Sequence, residues 1–203
     1  MLSASGIEAT AVDLRGHGNS PRTDAYALAD FAADVEAHVA DHGPYDVVVG
    51  HSLGGSVAAV ADLGGALRVL VDPLVDTPDP QAIRAELLAE LDMTTEQIAE
   101  ANPSWHPEDV HWKHRSAGLV TGWTLRRMLD QLLPMDIAGA VSDLTGRCVV
   151  LAADPAAGGL ISSRAREALA ANPAIEVVDL VGIGHSVQRE DPSIVTEAVL
   201  RLI

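Results

Sequence analysis

The stretch Val47-Val48-Val49-Gly50-His51-Ser52-Leu53-Gly54-Gly55 is the part of the sequence that decides the expected fold. Three consecutive valines predict a short buried strand, and the residues after Gly55 have the periodicity of a helix. A strand that turns at once into a helix strains the backbone at the turn, here at Ser52, and small residues two positions away on either side prevent a clash. Gly50 and Gly54 provide that space, and Gly55 adds to it. The turn presents the Ser52 hydroxyl at a helix N-terminus, where the helix dipole favours developing negative charge.

Strand and helix patterns alternate on both sides of this turn. Further strands are predicted at residues 7–14, 67–71, 147–152 and 175–180, and helices between Asp24 as N-cap and the stop at Gly43-Pro44, at 56–63, at 163–171 and from Pro192 onward. From about Pro78 to Ser142 strand patterns are absent and helical ones take over. We therefore predict an α/β fold: a mostly parallel sheet with helices on both faces, formed by residues 1–77 and 143–203 and interrupted by a helical cap insertion at 78–142.

Composition and charge exclude several classes of protein. The chain has 203 residues, with 13 basic and 29 acidic side chains and a net charge of −16, so it repels nucleic acid and anionic membranes. No apolar run has the length of a membrane span, and the N-terminus lacks the pattern of a signal peptide. A single cysteine, Cys148, excludes an internal disulfide framework. We expect a cytoplasmic protein with neither a nucleic-acid nor a membrane partner.

Three separated stretches together resemble the α/β-hydrolase superfamily, in its cap-bearing branch of esterases, lipase-like hydrolases and cofactor-free peroxidases. Residues 13–20, Asp-Leu-Arg-Gly-His-Gly-Asn-Ser, are similar to the turn that follows the family's fourth strand. Residues 50–55 match its nucleophile elbow, and residues 182–187, Gly-Ile-Gly-His-Ser-Val, resemble the loop that carries its catalytic base. The order of these motifs, and their spread over nearly the whole chain, argue against chance.

The resemblance implies a catalytic triad without a cofactor. Ser52 is the expected nucleophile, His185 the general base, and the Leu53 N–H a donor to the oxyanion, while His51 belongs to the elbow and points away from the nucleophile. His185 also follows a predicted strand, at the sheet edge where α/β proteins bind ligands. Asp154 follows the strand at which the family usually places its orienting acid, and Asp72, one strand earlier, is the alternative.

The sequence departs from the family pattern at its beginning. Members of the family start with three strands that are not recognised here, so residues 7–14 correspond to the fourth strand. The third strand normally ends in a loop that supplies the second oxyanion donor, and losing one such donor typically costs about 10²–10³ in rate. A sheet that lacks this strand has unpaired backbone groups, so self-association through the incomplete sheet is a possible interaction.

The expected activity is hydrolysis of a carboxylic ester or a related small-molecule acyl substrate. A serine nucleophile disfavours haloalkane and epoxide hydrolysis, which require an attacking carboxylate in this superfamily. The alternative is a non-catalytic ligand-binding module or an inactive fragment that lacks half of the oxyanion hole. In the cap, Trp105, Trp112 and Trp123 are expected mainly in its core. Glu108, His111 and His114 are interpreted as solvated, because no second pair of metal ligands lies nearby.

Overall fold

A four-stranded parallel sheet forms the centre of the molecule. The structure is a computed structural model that describes residues 2–203, apart from the side chain of Ala4. The strands are β1 (Val47–His51), β2 (Leu67–Val71), β3 (Cys148–Ala153) and β4 (Ile175–Leu180). They lie in the order β1-β2-β3-β4, with every neighbouring pair parallel. Each strand is therefore beside its neighbour in sequence, and all their carboxyl ends meet at one edge.

Helices cover the sheet and form the insertion between β2 and β3. Around the sheet lie α1 (Leu28–His42), α2 (Leu53–Val60), α8 (Ser163–Ala171), α9 (Val187–Glu190) and α10 (Pro192–Leu200). The insertion contains α3 (Pro80–Glu90), α4 (Thr95–Ala101), α5 (Pro107–Leu119), α6 (Gly122–Leu132) and α7 (Ala138–Ser142). Short 3-10 helices occupy Leu2–Ser5 and Pro155–Ala157. Among residues 2–203, no helix is both long enough and apolar enough to cross a membrane.

Alternation along the central strands produces two apolar layers. Leu70 and Val150 face a large core that contains residues of α1, α2, α7 and α8. Their neighbours Val69, Val149 and Leu151 face a smaller core built with α9 and α10. Strand β3 is buried along its whole length, as expected for a parallel strand covered on both sides. The predicted α/β fold with a parallel sheet is therefore confirmed.

The segment Ile7–Leu14 is the main departure from the predicted elements. Its residues form no strand, although Ile7 and Leu14 still pack against the two apolar cores. A strand needs a neighbour to accept and donate its backbone hydrogen bonds, and in the described part of the chain no strand pairs with the side of β1 that faces away from β2. The prediction of a strand here is therefore wrong for this structure.

The start of α1 also differs from the prediction. The helix begins at Leu28 and not directly after Asp24, and Ala27 is its N-cap. The Asp30 side chain accepts a hydrogen bond from the Ala27 N–H at 2.8 Å, so it provides part of the cap that Asp24 was expected to form. Helix α4 begins with a capping box, since Thr94 and Gln97 each accept a hydrogen bond from the other's backbone N–H.

Two adjacent segments around Asp76 and Asp136, the hinge segments, connect the insertion to the sheet. Where the chain leaves and returns, Asp76 and Asp136 form an isolated antiparallel bridge. Arg164 of α8 pairs with Asp76 at 3.3 Å and with Asp136 at 2.7 Å, so it ties both hinge segments to the core. Within the insertion, the expectation of a tryptophan core is wrong for two residues: Trp112 is 58% and Trp123 is 59% exposed.

Candidate active site

The turn at Ser52 has the strained geometry that its sequence predicts. Ser52 lies between β1 and α2 with φ of 54° and ψ of −120°, and it is one of two non-glycine residues with positive φ among those described. Such a conformation costs on the order of 1–3 kcal/mol. The Ser52 N–H donates to the Val71 carbonyl at 3.0 Å, which holds the turn against the end of β2.

Crowding explains two of the three glycines around Ser52. A Cβ atom on Gly50 would lie 2.3 Å from the carbonyl oxygen of Gly54, and one on Gly55 would lie 2.9 Å from the Cβ atom of Pro73. A Cβ atom on Gly54 would meet nothing within 4 Å outside its own helix. The expected space requirement therefore holds for Gly50 and Gly55. The expectation is wrong for Gly54, because a side chain there would have room. Gly54 takes part in the crowded contact only through its backbone carbonyl.

The loop after β4 presents His185 to the same edge of the sheet. Gly182 takes a φ of 77°, a conformation that favours glycine. A Cβ atom on Gly184 would lie 2.7 Å from a carboxylate oxygen of Glu190, and the Gly184 N–H donates to that carboxylate at 3.0 Å. These features fix the backbone of the loop immediately before His185.

Asp72 is the carboxylate that contacts the His185 imidazole. Its Oδ2 lies 2.7 Å from His185 Nδ1, and the Asp72 side chain is fully buried while the His185 side chain is 29% exposed. Two backbone N–H groups, from Ala153 at 3.3 Å and Leu160 at 2.9 Å, also donate to this carboxylate. A hydrogen on Nδ1 leaves the Nε2 of His185 as the acceptor nitrogen of the ring.

Asp154, the acid that the sequence favoured, is not in contact with the imidazole. Its Oδ2 accepts from the Gly182 N–H at 2.8 Å and its Oδ1 from the Ala156 N–H at 2.9 Å. These two bonds, that from Gly182 first, hold the pKa of Asp154 below its ordinary value. The structure thus brings Asp72, and not Asp154, to the imidazole, because β2 lies next to β1 and its end is one strand nearer to Ser52 than the end of β3.

His51 joins the elbow to the loop that carries His185. Its Nε2 lies 2.8 Å from the His185 carbonyl oxygen, and the two imidazole rings have centroids 4.5 Å apart. Gln188 of α9 donates to the other ring nitrogen at 3.3 Å. This arrangement fits a neutral ring with its hydrogen on Nε2. Burial, then the neighbouring His185, lowers the pKa of His51 to about 4.

Ser52, His51 and His185 thus lie together at the carboxyl edge of the sheet. No hydrogen bond joins the Ser52 hydroxyl to the His185 ring in the structure as described for residues 2–203. In unliganded enzymes such a bond is often long and shortens only with substrate bound. Leu53 is the first residue of α2, so its N–H has no acceptor within the helix and is available to an incoming oxyanion.

Sequence reasoning missed two residues that shape this site. Glu190 anchors the Gly184 N–H, and Gln188 contacts His51. Both belong to the single turn of α9, which begins two residues after His185. An acidic residue placed so soon after a glycine-flanked histidine is a usable signal, because its carboxylate can reach back to the N–H groups that the loop leaves unpaired.

Comparison with known proteins gives consistent results. The family described as the alpha/beta hydrolase family matches residues 1–198. No sequence among the curated proteins matches the chain. Among solved structures, E-2-(acetamidomethylene)succinate hydrolase is similar with a TM-score of 0.78 and 23% identity, over 94% of this chain and 79% of the other.

Two esterase structures have the same fold at lower identity. An esterase from Exiguobacterium antarcticum gives a TM-score of 0.72 and 15% identity over 93% of this chain and 78% of its own. An esterase from a Rhodococcus species gives a TM-score of 0.69 and 21% identity over 95% and 78%. The match of the family to nearly the whole sequence, together with the fold and the strained elbow, shows that this chain belongs to the alpha/beta hydrolase family.

Proposed function

We propose that this protein is a serine hydrolase that cleaves a carboxylic ester or a related acyl substrate through a triad of Ser52, His185 and Asp72. The observation that carries the proposal is the 2.7 Å contact between His185 Nδ1 and the buried Asp72 carboxylate, beside a serine held at positive φ. A buried carboxylate on Nδ1 sets the tautomer in which Nε2 can accept a proton.

In the proposed reaction, Ser52 Oγ attacks the acyl carbon while its proton passes to His185 Nε2. Asp72 stabilises the resulting imidazolium, and the Leu53 N–H donates to the negative oxygen of the tetrahedral intermediate. The intermediate collapses, and the leaving alcohol takes the proton from His185. Water then attacks the acyl group on Ser52 in the same way, with His185 as base, which releases the carboxylic acid and restores the serine.

A fluorophosphonate probe tests this proposal, because it reacts only with an activated serine. We expect the wild-type protein to be labelled and Ser52→Ala to remain unlabelled. Ser116→Ala is the matched control, since Ser116 lies in α5 and its hydroxyl donates to the Lys113 carbonyl at 2.9 Å. Hydrolysis of 4-nitrophenyl butyrate should follow the same order. A folded wild-type sample that takes up no probe would favour the non-catalytic binding module instead.

A further inference from the structure

Arg189 lies where the segment that follows His185 meets the helical insertion. It belongs to α9, four residues after His185, and its guanidinium carbon is 4.7 Å from the centroid of the Trp105 ring. Trp105 lies in the insertion, just after α4. A guanidinium stacked on an aromatic face keeps its in-plane N–H groups free to donate to another partner.

Arg189 is partly buried, and among residues 2–203 no carboxylate lies at ion-pair distance from its guanidinium. Burial, the strongest influence, lowers the pKa of this guanidinium below its ordinary value, while Asp109 and Glu90 act on it only at longer range. Glu90 is already paired with Lys113 at 2.6 Å. A partly buried charge without a close counter-charge loses solvation that no ion pair replaces, which points to a partner that arrives from outside the chain.

This charge lies close to the candidate active site. After burial and His185, the positive charge of Arg189 is one of the influences that lower the pKa of His51. The His51 ring is 4.5 Å from the ring of His185, so Arg189 is within electrostatic reach of the groups that would handle an acyl substrate. Gln188, the residue before Arg189 in α9, contacts His51 at 3.3 Å, so the turn that carries Arg189 packs against the candidate site.

We propose that Arg189 binds a carboxylate of the substrate, so that this enzyme prefers acyl substrates with a second, negatively charged group, such as monoesters of dicarboxylic acids. The proposal rests on the proposed serine hydrolase function and names its substrate class. Trp105 orients the guanidinium, and the substrate carboxylate accepts hydrogen bonds from two N–H groups at the edge of the guanidinium. The partly buried cation then acquires the counter-charge that it lacks in the free chain.

Kinetics with matched substrates test the proposal. We would compare the 4-nitrophenyl monoesters of glutaric and adipic acid with 4-nitrophenyl pentanoate and hexanoate, which have the same chain lengths without the charge. The wild-type enzyme should prefer at least one monoester. Arg189→Met removes the charge but keeps a long, unbranched side chain, and it should lower the monoester-to-neutral ratio of kcat/KM by about 10- to 100-fold, mainly through KM. Arg189→Lys keeps the charge and should retain part of the preference.

The variant Asp109→Asn distinguishes anion binding by Arg189 from a purely structural role, a latch in which Arg189 holds the insertion through Asp109. If Arg189 binds the substrate carboxylate, Asp109→Asn removes a competing negative charge and should lower KM for the monoesters. If Arg189 instead closes the insertion onto Asp109, Asp109→Asn should impair both substrates in the same way as Arg189→Met. The latch outcome would overturn the proposal, as would equal losses on charged and neutral esters in Arg189→Met.

A binding measurement separates this proposal from the proposed hydrolase function. Trp112→Phe and Trp123→Phe, at the two exposed positions, leave Trp105 as the only tryptophan. In that background with Ser52→Ala, titration with glutarate should change the fluorescence, while pentanamide should not, and Arg189→Met should abolish the glutarate response. If glutarate gives no fluorescence change while the wild type is labelled normally by fluorophosphonate, the carboxylate site is wrong and the hydrolase function is unaffected. Absent labelling with a normal response would sink only the hydrolase function.

Discussion

Asp72 and Asp154 carry the same functional group, and their surroundings give them different expected effects. Asp72→Asn replaces the acceptor at His185 Nδ1 with an amide that can hold the wrong tautomer, so kcat should fall on the order of 10³- to 10⁴-fold. Asp154→Asn still offers an oxygen to the exposed Gly182 N–H, so kcat should change by less than about tenfold. Steady-state kinetics with 4-nitrophenyl butyrate measure both. The opposite ranking would restore Asp154 as the orienting acid.

His51 gives a prediction about acid stability. The unfolded chain protonates a histidine near pH 6.5, whereas the folded protein protonates His51 only near pH 4. Between these values the unfolded state binds more protons, so the contribution of His51 is complete above about pH 6.5 and declines as the pH falls to about 4. The total loss is roughly 3 kcal/mol in the free energy of unfolding.

Urea denaturation at several pH values checks this contribution. His51→Gln retains a side-chain N–H that can donate to the His185 carbonyl but has no group that titrates. The free energy of unfolding of His51→Gln should therefore decline less steeply than that of the wild type between pH 6.5 and 4. Parallel curves for the two proteins would show that His51 does not titrate as its buried position requires.

The sequence was sufficient for some residues of the candidate site and not for others. The turn at Ser52 follows from local spacing, whereas the roles expected of His185 and Leu53 follow from the resemblance of residues 182–187 and 50–55 to the family's motifs. The choice between Asp72 and Asp154 depends on which strand lies beside β1 and on the positive φ of 39° at Asp72, and neither is a local property of the sequence. The contacts of Arg189 with Trp105 and of His51 with His185 join segments that are far apart in the chain. Sequence periodicity describes single elements and does not predict such contacts.

At the scale of elements, the junction of β1 and α2 separates two glycines that look equivalent in the motif. Gly50→Ala forces a Cβ atom to within 2.3 Å of the Gly54 carbonyl oxygen, so the backbone must move, and the free energy of unfolding should fall by about 1–3 kcal/mol. Gly54→Ala places its methyl group in open space in the first turn of α2 and should be neutral or stabilising by up to ~1 kcal/mol. Chemical denaturation compares the two variants directly.

This pair of variants also tests the physical account of the motif. If the turn needs space at both flanking positions, Gly54→Ala should destabilise the protein as much as Gly50→Ala does. Fluorophosphonate labelling of the two variants adds a functional measure, because a displaced elbow moves the Ser52 hydroxyl away from the acyl group. We expect labelling to be slowed in Gly50→Ala and largely kept in Gly54→Ala.

Elements with complete local signals were predicted well, and those that depend on a neighbour were not. Strand β2 and helix α8 have the predicted bounds, Leu67–Val71 and Ser163–Ala171, because their ends are marked by turn residues and caps. Residues 7–14 have a comparable strand pattern but no partner in the described structure. Strand formation depends on pairing, so such a segment can be predicted only together with the sheet that accepts it.

For the whole molecule, the charge of −16 predicts how salt affects stability. Ion pairs engage only some of the 13 basic residues, so most of the 29 acidic side chains repel one another over the surface. Chloride salts shorten the screening length from about 30 Å at 0.01 M to about 8 Å at 0.15 M. The shorter screening length weakens the repulsion between acidic side chains over the whole surface. It also weakens each exposed ion pair, which is worth about 0–1 kcal/mol.

Because acidic residues outnumber basic ones by more than two to one, the loss of repulsion should outweigh the loss of ion pairs. The Tm should therefore rise by a few degrees, about 2–4 °C for each kcal/mol gained, when NaCl increases from 10 to 150 mM. KCl should give the same rise, since screening does not depend on the cation, and chloride avoids the general stabilisation that sulfate produces. A Tm that falls with salt would mean that the ion pairs, including those of Arg164 at the hinge, contribute more than the repulsion that they oppose.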